Sequence, residues 1–149
     1  MSVSSPSRMV ADAEPDYVLD DQVGFLLRRA TQRHLGIFAE NIADLTPTQF
    51  AALAKLCELG RASQNELGRQ TAMDGATIKG VVDRLRGRGY IESEPDPTDQ
   101  RRLLLRASET GRKVFDEAVA AALLISRRTL EPLNPREREQ FLDLLRKLG

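Results

Sequence analysis

A chain of 149 residues, 41% apolar and 30% charged, is long enough to bury one core and too short for two comfortable ones. Its one cysteine, Cys57, excludes an internal disulfide and fits a reducing, cytoplasmic setting; no secretory signal and no run near 18 apolar residues is found, so no membrane partner is expected. The 22 basic and 22 acidic residues cancel overall but not locally: residues 61–113 carry 11 basic against 8 acidic, and residues 1–60 carry 5 against 8.

Residues 1–16 hold Ser, Pro, Ala and acids without periodicity and read as a mobile tail, leaving 17–149 as a single domain. Leu19, Val23, Leu26, Ala30 and Ile37 form one helical stripe, and Leu27, Leu35 and Phe38 a second. They predict a first helix over about 19–42 that is apolar on more than one side, as a subunit interface would require. Thr46-Pro47 is a cap followed by proline at the first helical position; Phe50, Leu53, Ala54 and Cys57 carry a second helix over 47–59, which Gly60 stops. Ser63, with Glu66 three residues on, is a capping box for a short third helix over 63–70. After a break at Ala72-Met73, Asp74 caps a fourth helix over 75–86. Its Ile78, Val81, Val82 and Leu85 fall on one face, and Gly87 or Gly89 ends it. Residues 90–94 and 102–106 read as strands around a turn-rich loop at 95–100, a hairpin with a polar tip. Ser108 caps a long fifth helix ending at Glu131-Pro132, and Pro135 opens a last helix with Phe141, Leu144, Leu145 and Leu148 on one side.

Two short helices, a third, and a charged hairpin immediately after it are the order of a winged helix-turn-helix. The expected fold class is therefore mostly α with a small β wing. With the apolar face of the fourth helix inward, Ala76, Gly80, Asp83 and Gly87 lie at its outward centre and Thr77, Lys79 and Arg84 on the flanks. Small side chains at 76 and 80 let the backbone approach the floor of a major groove, where Thr77 and Lys79 reach base edges or phosphates. The plainer alternative is a surface helix with a few small residues. Arg86 and Arg88 close this helix, and Arg101 and Arg102 sit at the hairpin tip, so all four can face one side. An arginine there suits a narrow minor groove, and Asp99 can hold the Arg101 guanidinium in place. The alternative is a solvated turn with weak surface pairs.

The run ELGRQTAMDGATIKGVVDRLRGRGYIESEPDPTDQRRLLLRASETGR resembles the MarR family of bacterial transcription regulators. The resemblance rests on Glu66-Leu67, on Val82-Asp83-Arg84-Leu85 with Gly89, on Asp96-Pro97 with Asp99 and Arg101, and on Ser108-Glu109-Thr110-Gly111. It implies a homodimer: a winged helix-turn-helix over about 45–107, flanked by dimerisation helices over about 19–42 and 108–149. The implied partner is double-stranded DNA, a pseudo-palindromic operator with half-sites about 34–36 Å apart. The implied DNA-contacting residues are Ser63, Asp74, Ala76, Thr77, Lys79, Gly80, Arg84, Arg86, Asp99, Arg101 and Arg102. Gly80 and Gln100 depart from the family pattern, which leaves the operator sequence open.

The resemblance also implies a small effector, an aromatic acid or aromatic acyl-CoA, held between the dimerisation helices and the winged lobe. Arg33 and His34 interrupt the apolar stripe near Ile37, Phe38 and Phe50, so a cation or imidazole beside apolar walls is the candidate effector site. Both side chains can equally be ordinary interface residues. The phrase DYVLDDQVGFLLRRATQRH is similar to members controlling aromatic acid degradation, so a ligand-released repressor of such genes is expected. Two other readings are a redox sensor built on Cys57 and a winged-helix module that binds protein. No metal, cofactor or catalytic residue is expected: the chain lacks HExxH, GxSxG, a phosphate-binding glycine loop and Cys/His metal spacing.

Overall fold

Capping chemistry sets the boundaries of nearly every helix in the computed structural model, which describes residues 16–149. The tail expected at 1–16 lies outside the described residues except for Asp16. A 3-10 turn at Leu19–Asp21 leads into α1 (Val23–Asn41), then α2 (Pro47–Leu59), α3 (Gln64–Gln70) and α4 (Gly75–Gly87). A hairpin of β1 (Ile91–Asp96) and β2 (Asp99–Ala107) follows, then α5 (Glu109–Thr129) and α6 (Pro135–Leu148). The expected mostly helical fold with a small β wing is what forms.

The chain divides between Gln32 and Arg33, inside α1, into two compact units. In the first, Gln22 closes the 3-10 turn by donating to the Val18 carbonyl, and Arg29 lies over the Phe25 ring. Tyr17, Val18, Leu19, Val23, Leu26 and Leu27 stay exposed in the single chain.

The second unit holds the core. Phe38, Ile42 and Leu45 pack with Leu53 and Leu56 of α2, Leu67 of α3, the four apolar residues of α4, Ile91, Leu105 and Ile125. Ile78, Val81, Val82 and Leu85 are at most 4% exposed, so the predicted inward face of α4 is the buried one. Thr46 and Gln49 form a reciprocal capping box at α2, and Asn134 and Glu137 form another at α6. At α3 only half of the expected box forms. Ser63 Oγ accepts from the Glu66 N–H at 3.2 Å, and Glu66 lines a cleft with Arg69, Arg101 and Arg102.

Gly89 rather than Gly87 ends the candidate recognition segment, α4 and the turn after it. Its φ of +76° reverses the chain, and the Tyr90 N–H bonds back to the Leu85 carbonyl. The loop expected at 95–100 is tighter than its composition suggests. Asp96 pairs with Asp99, leaving Pro97 and Thr98 as the turn, and the Asp96 carboxylate accepts from both the Thr98 N–H and hydroxyl at 2.8 Å. Pro95 is accommodated inside β1 because the register slips beside it and the hairpin is only two-stranded. Ala62 makes a bridge to Leu105 on the far side of β2, which fastens the wing to the loop before α3.

α6 buries nothing in the single chain. Phe141, Leu142, Leu144, Leu145 and Leu148 are all at least 36% exposed. Among the described residues no helix is long and apolar enough to cross a membrane, and no group of His, Cys, Asp or Glu stands together as a metal site.

Candidate nucleic-acid interface

Asp74 starts α4 by accepting from the Thr77 N–H at 2.7 Å, and that bond, the largest influence on it, holds its carboxyl below the usual range. Ser63 does the same for α3. Both side chains thus set helix starts and position the adjoining backbone. Ala76, Thr77 and Lys79 are exposed along α4, and Asp83 follows one turn on. The outward surface is not bare at Gly80. The Arg84 guanidinium folds over it, 3.2 Å from where a Cβ would stand.

The charges on this face are organised. Lys79 Nζ lies 2.8 Å from Asp83 Oδ2, and Arg86 Nη1 lies 3.3 Å from Asp83 Oδ1. The other Arg86 nitrogen donates to Ser93 Oγ at 2.8 Å, tying α4 to β1. At the wing tip Asp99 accepts from the Arg101 backbone N–H at 3.0 Å and lies 3.5 Å from its Nε, as the sequence suggested. Even so the Arg101 side chain is 93% exposed. Arg102 rests 3.5 Å from the buried Asp96, whose carboxyl the Thr98 bonds hold below the usual range. Ser63, Asn65, Glu66, Arg69, Arg101 and Arg102 line a cleft of about 600 Å³ between α3 and β2. Arg69 was missed by sequence reasoning because only the fold brings it to the wing.

Arg88 does not join the other arginines. It donates to the Asp44 carbonyl and, at 3.1 Å, to the Tyr90 hydroxyl, with its guanidinium 4.7 Å above the Tyr90 ring. The expectation that all four arginines face one side is corrected on this point. Just past the helix end, Arg88 finds an aromatic face and an open carbonyl, and it braces the back of the lobe.

The candidate effector residues divide into two groups. Arg33 donates to the carbonyls of Thr129 and, at 2.8 Å, Arg128; His34 Nδ1 lies 2.8 Å from Thr129 Oγ1. The Arg128 carbonyl also accepts from the Glu131 N–H, so Arg33 helps to cap the last carbonyls of α5, while His34 ties α1 to the Thr129 side chain. Phe38 is buried and Ile37 and Phe50 pack against the core. Phe50 meets Phe38 edge-on at 6.2 Å and Phe115 at 5.8 Å between ring centres. Cys57 is half-buried against the same core, and burial pushes its thiol up, which makes it a poor nucleophile at neutral pH.

The family model for the MarR family matches residues 45–103. The HTH-type transcriptional repressor NicR of Pseudomonas putida is 41% identical, over 97% of this chain and 92% of the relative. The crystal structure of a probable transcriptional regulator from Pseudomonas aeruginosa superposes with a TM-score of 0.86 at 52% identity, covering 89% of this chain and all of the other. BpsR of Bordetella bronchiseptica, whose DNA binding is regulated by 6-hydroxynicotinic acid, superposes with a TM-score of 0.87 at 40% identity, covering 90% of this chain and 97% of that one. With a relative of this identity aligned over nearly the whole chain and the family model matching its winged lobe, the chain belongs to the MarR family of transcriptional regulators.

Proposed function

We propose that this protein is a cytoplasmic repressor of aromatic acid degradation genes. As a homodimer it presents two copies of α4 to successive major grooves of a pseudo-palindromic operator, with Arg101 and Arg102 at the flanks. The observation that carries this reading is the wing tip. A guanidinium that is 93% exposed yet aligned by a carboxylate within its own turn has no packing role and is poised for an outside anion. The surrounding residues support it: Ala76, Thr77, Lys79 and Arg84 form an exposed, basic and mostly slender strip, and Arg69 adds a third guanidinium to the cleft beside the wing.

Dimerisation through the helices at about 19–42 and 108–149 is supported by the apolar side chains left exposed in each. Leu26, Leu27, Leu35, Leu123, Leu144 and Leu148 are all more than 40% exposed in one chain, more than an isolated soluble subunit ordinarily shows water. The effector we assign is a hydroxylated aromatic acid of the kind that regulates BpsR, or its CoA thioester, held near Ile37, Phe38 and Phe50 with Arg33 or His34 meeting the carboxylate. Such a ligand works by its difference in affinity for the DNA-competent and DNA-incompetent dimers, typically about 1–3 kcal/mol, or roughly 5- to 150-fold in operator affinity.

A mobility assay on the DNA upstream of the protein's own gene tests the reading, repeated with 6-hydroxynicotinic acid, other aromatic acids and their CoA thioesters. Retardation that an aromatic acid or thioester relieves is the expected result. No retarded duplex there or from a randomised library would overturn the DNA-binding reading, and retardation indifferent to every aromatic arm would overturn the effector assignment.

A further inference from the structure

Asp83 is the one acidic residue in α4, and it stands on the helix's outward midline among Ala76, Gly80 and Gly87. A carboxylate at the centre of a surface that meets a polyanion costs affinity, so its presence there calls for a compensating role. Its two oxygens are divided between two cations. Oδ2 takes Lys79 at 2.8 Å, one helical turn back, and Oδ1 takes Arg86 at 3.3 Å, one turn on. Arg86 is held at its other end by Ser93 of the wing, so the chain Lys79–Asp83–Arg86–Ser93 runs continuously from the groove-facing surface to β1. Lys79 and Asp83 remain largely exposed, at 67% and 49%, so the array packs nothing and lies open to a ligand. The Lys79 hydrogen bond, with the charges of Lys79, Arg86 and Arg84, holds the Asp83 carboxyl below the usual range, and it is charged at neutral pH.

We infer that Asp83 is a specificity-determining, positioning residue of this interface: it fixes the directions of Lys79 and Arg86 and withholds one unit of their charge from DNA that is not operator. The inference rests on the DNA-binding reading above. Non-operator DNA is bound through phosphates alone, by whatever cations can swing towards them. Lys79 and Arg86 with Asp83 present a net single positive charge; without it they present two. One further phosphate contact steepens the salt dependence by about 0.9, which at 0.15 M salt is roughly a fivefold gain on any duplex. On the operator that gain is offset, because Lys79 and Arg86 lose the constraint that aims them.

The test compares wild type, Asp83→Asn, Asp83→Glu and the Lys79→Ala/Asp83→Asn pair. The two probes are the duplex that wild type recovers from a randomised library and a scrambled duplex of the same composition, each titrated across salt. Asp83→Asn is expected to bind the scrambled duplex about fivefold more tightly at 0.15 M salt, with a slope steeper by about 0.9. It should bind the recovered duplex no better than wild type, so the ratio of the two affinities falls about fivefold. Asp83→Glu, keeping the charge, should retain wild-type binding to the scrambled duplex, and the pair should return the slope to wild type. The inference is overturned if Asp83→Asn leaves scrambled binding and slope unchanged or tightens both duplexes equally. It is also overturned if the variant changes preference at a single base pair only, which would make Asp83 a direct acceptor from a base edge. A wild-type protein that recovers no sequence would instead remove the DNA-binding reading itself.

Discussion

Replacing Gly111 by alanine would strike the joint where α5 meets the end of the recognition segment. Gly111 is buried in the first turn of α5, and a Cβ there would stand 1.9 Å from the Tyr90 carbonyl oxygen and 2.8 Å from its carbon. Neither neighbour is a flexible side chain, so the backbone on one side has to give by roughly 1 Å, an overpacking cost of about 1–3 kcal/mol. The same oxygen accepts from the Ser108 N–H at 2.9 Å, while Ser108 Oγ donates to the Gly89 carbonyl at 2.6 Å and accepts from the Gly111 N–H at 3.0 Å. Loosening one or two of these bonds adds about 0.5–1.5 kcal/mol each, and alanine's better helix propensity returns about 1 kcal/mol. The net loss is about 2–3 kcal/mol, which for a chain of this length lowers the melting temperature by about 4–12 °C. Wild type and variant are compared by thermal denaturation at equal protein concentration, because self-association makes melting concentration-dependent. Gly80→Ala is the matched control. Its Cβ would meet only the movable end of Arg84, at 3.2 Å, so it should melt at or above wild type. A Gly111→Ala protein melting within about 2 °C of wild type, or a Gly80→Ala protein that loses as much, would refute the reasoning.

Three further outcomes are expected. Arg101→Ala should weaken operator binding and reduce its salt slope by up to about 0.9; an unaltered salt titration would take the wing tip out of the interface. Asp74, Asp83 and Asp96 all have carboxyls lowered in the folded protein, by the Thr77 N–H, the Lys79 ammonium and the Thr98 N–H respectively. A lowered folded value means their stabilisation is complete above the unfolded value, about 3.9, and is lost as pH falls through the lower folded one. Melting temperature should therefore drop below about pH 4, and less steeply in Asp74→Asn, whose amide caps without titrating; parallel curves for the two proteins would contradict this. Arg33→Ala, which strips donors from the Arg128 and Thr129 carbonyls, should cost about 1 kcal/mol and speed amide exchange in the last turn of α5 while leaving α4 unchanged. Unchanged exchange in that turn would take Arg33 out of the cap.

What the sequence made legible is what physical chemistry decides locally. Thr46-Pro47, Ser63, Asp74, Ser108 and Pro135 mark helix starts because a cap is satisfied within three residues of itself, and each start is found where those residues stand. The inward face of α4 was legible for the same reason, since four apolar side chains at helical spacing leave one buried side. The wing turn was misjudged because a cluster of Pro, Asp and Thr reads as a loop. The Asp96 carboxylate makes a two-residue turn of it by satisfying Thr98 twice. Partners distant along the chain left no signal. Arg33 reaches carbonyls 95 and 96 residues away, Arg88 a carbonyl 44 residues back, and Ala62 a strand whose register is set by the hairpin. Of the candidate site, the residue types and their order were readable, whereas which arginines stay exposed and which brace the lobe depended on which carbonyl or ring the fold brought within reach.

That division bears on how a signal would travel. The recognition segment and wing are fastened at the front by Arg86 to Ser93, at the side by the Ala62–Leu105 bridge and the Arg61–Glu94 pair, and behind by Ser108 and Gly111 against Gly89 and Tyr90. Arg88 adds a tie to the turn between α1 and α2 at Asp44. An element held on so many sides does not bend locally; it moves with whatever carries it, and α5 is the element abutting its back. On the proposed reading, an effector that shifts α5 need not touch α4, because displacing the Gly89–Tyr90 joint re-aims α4 and the arginine-tipped wing together. The two copies in a dimer then lose the spacing that successive grooves demand, and a rigid lobe converts a small displacement at α5 into lost contacts at both half-sites.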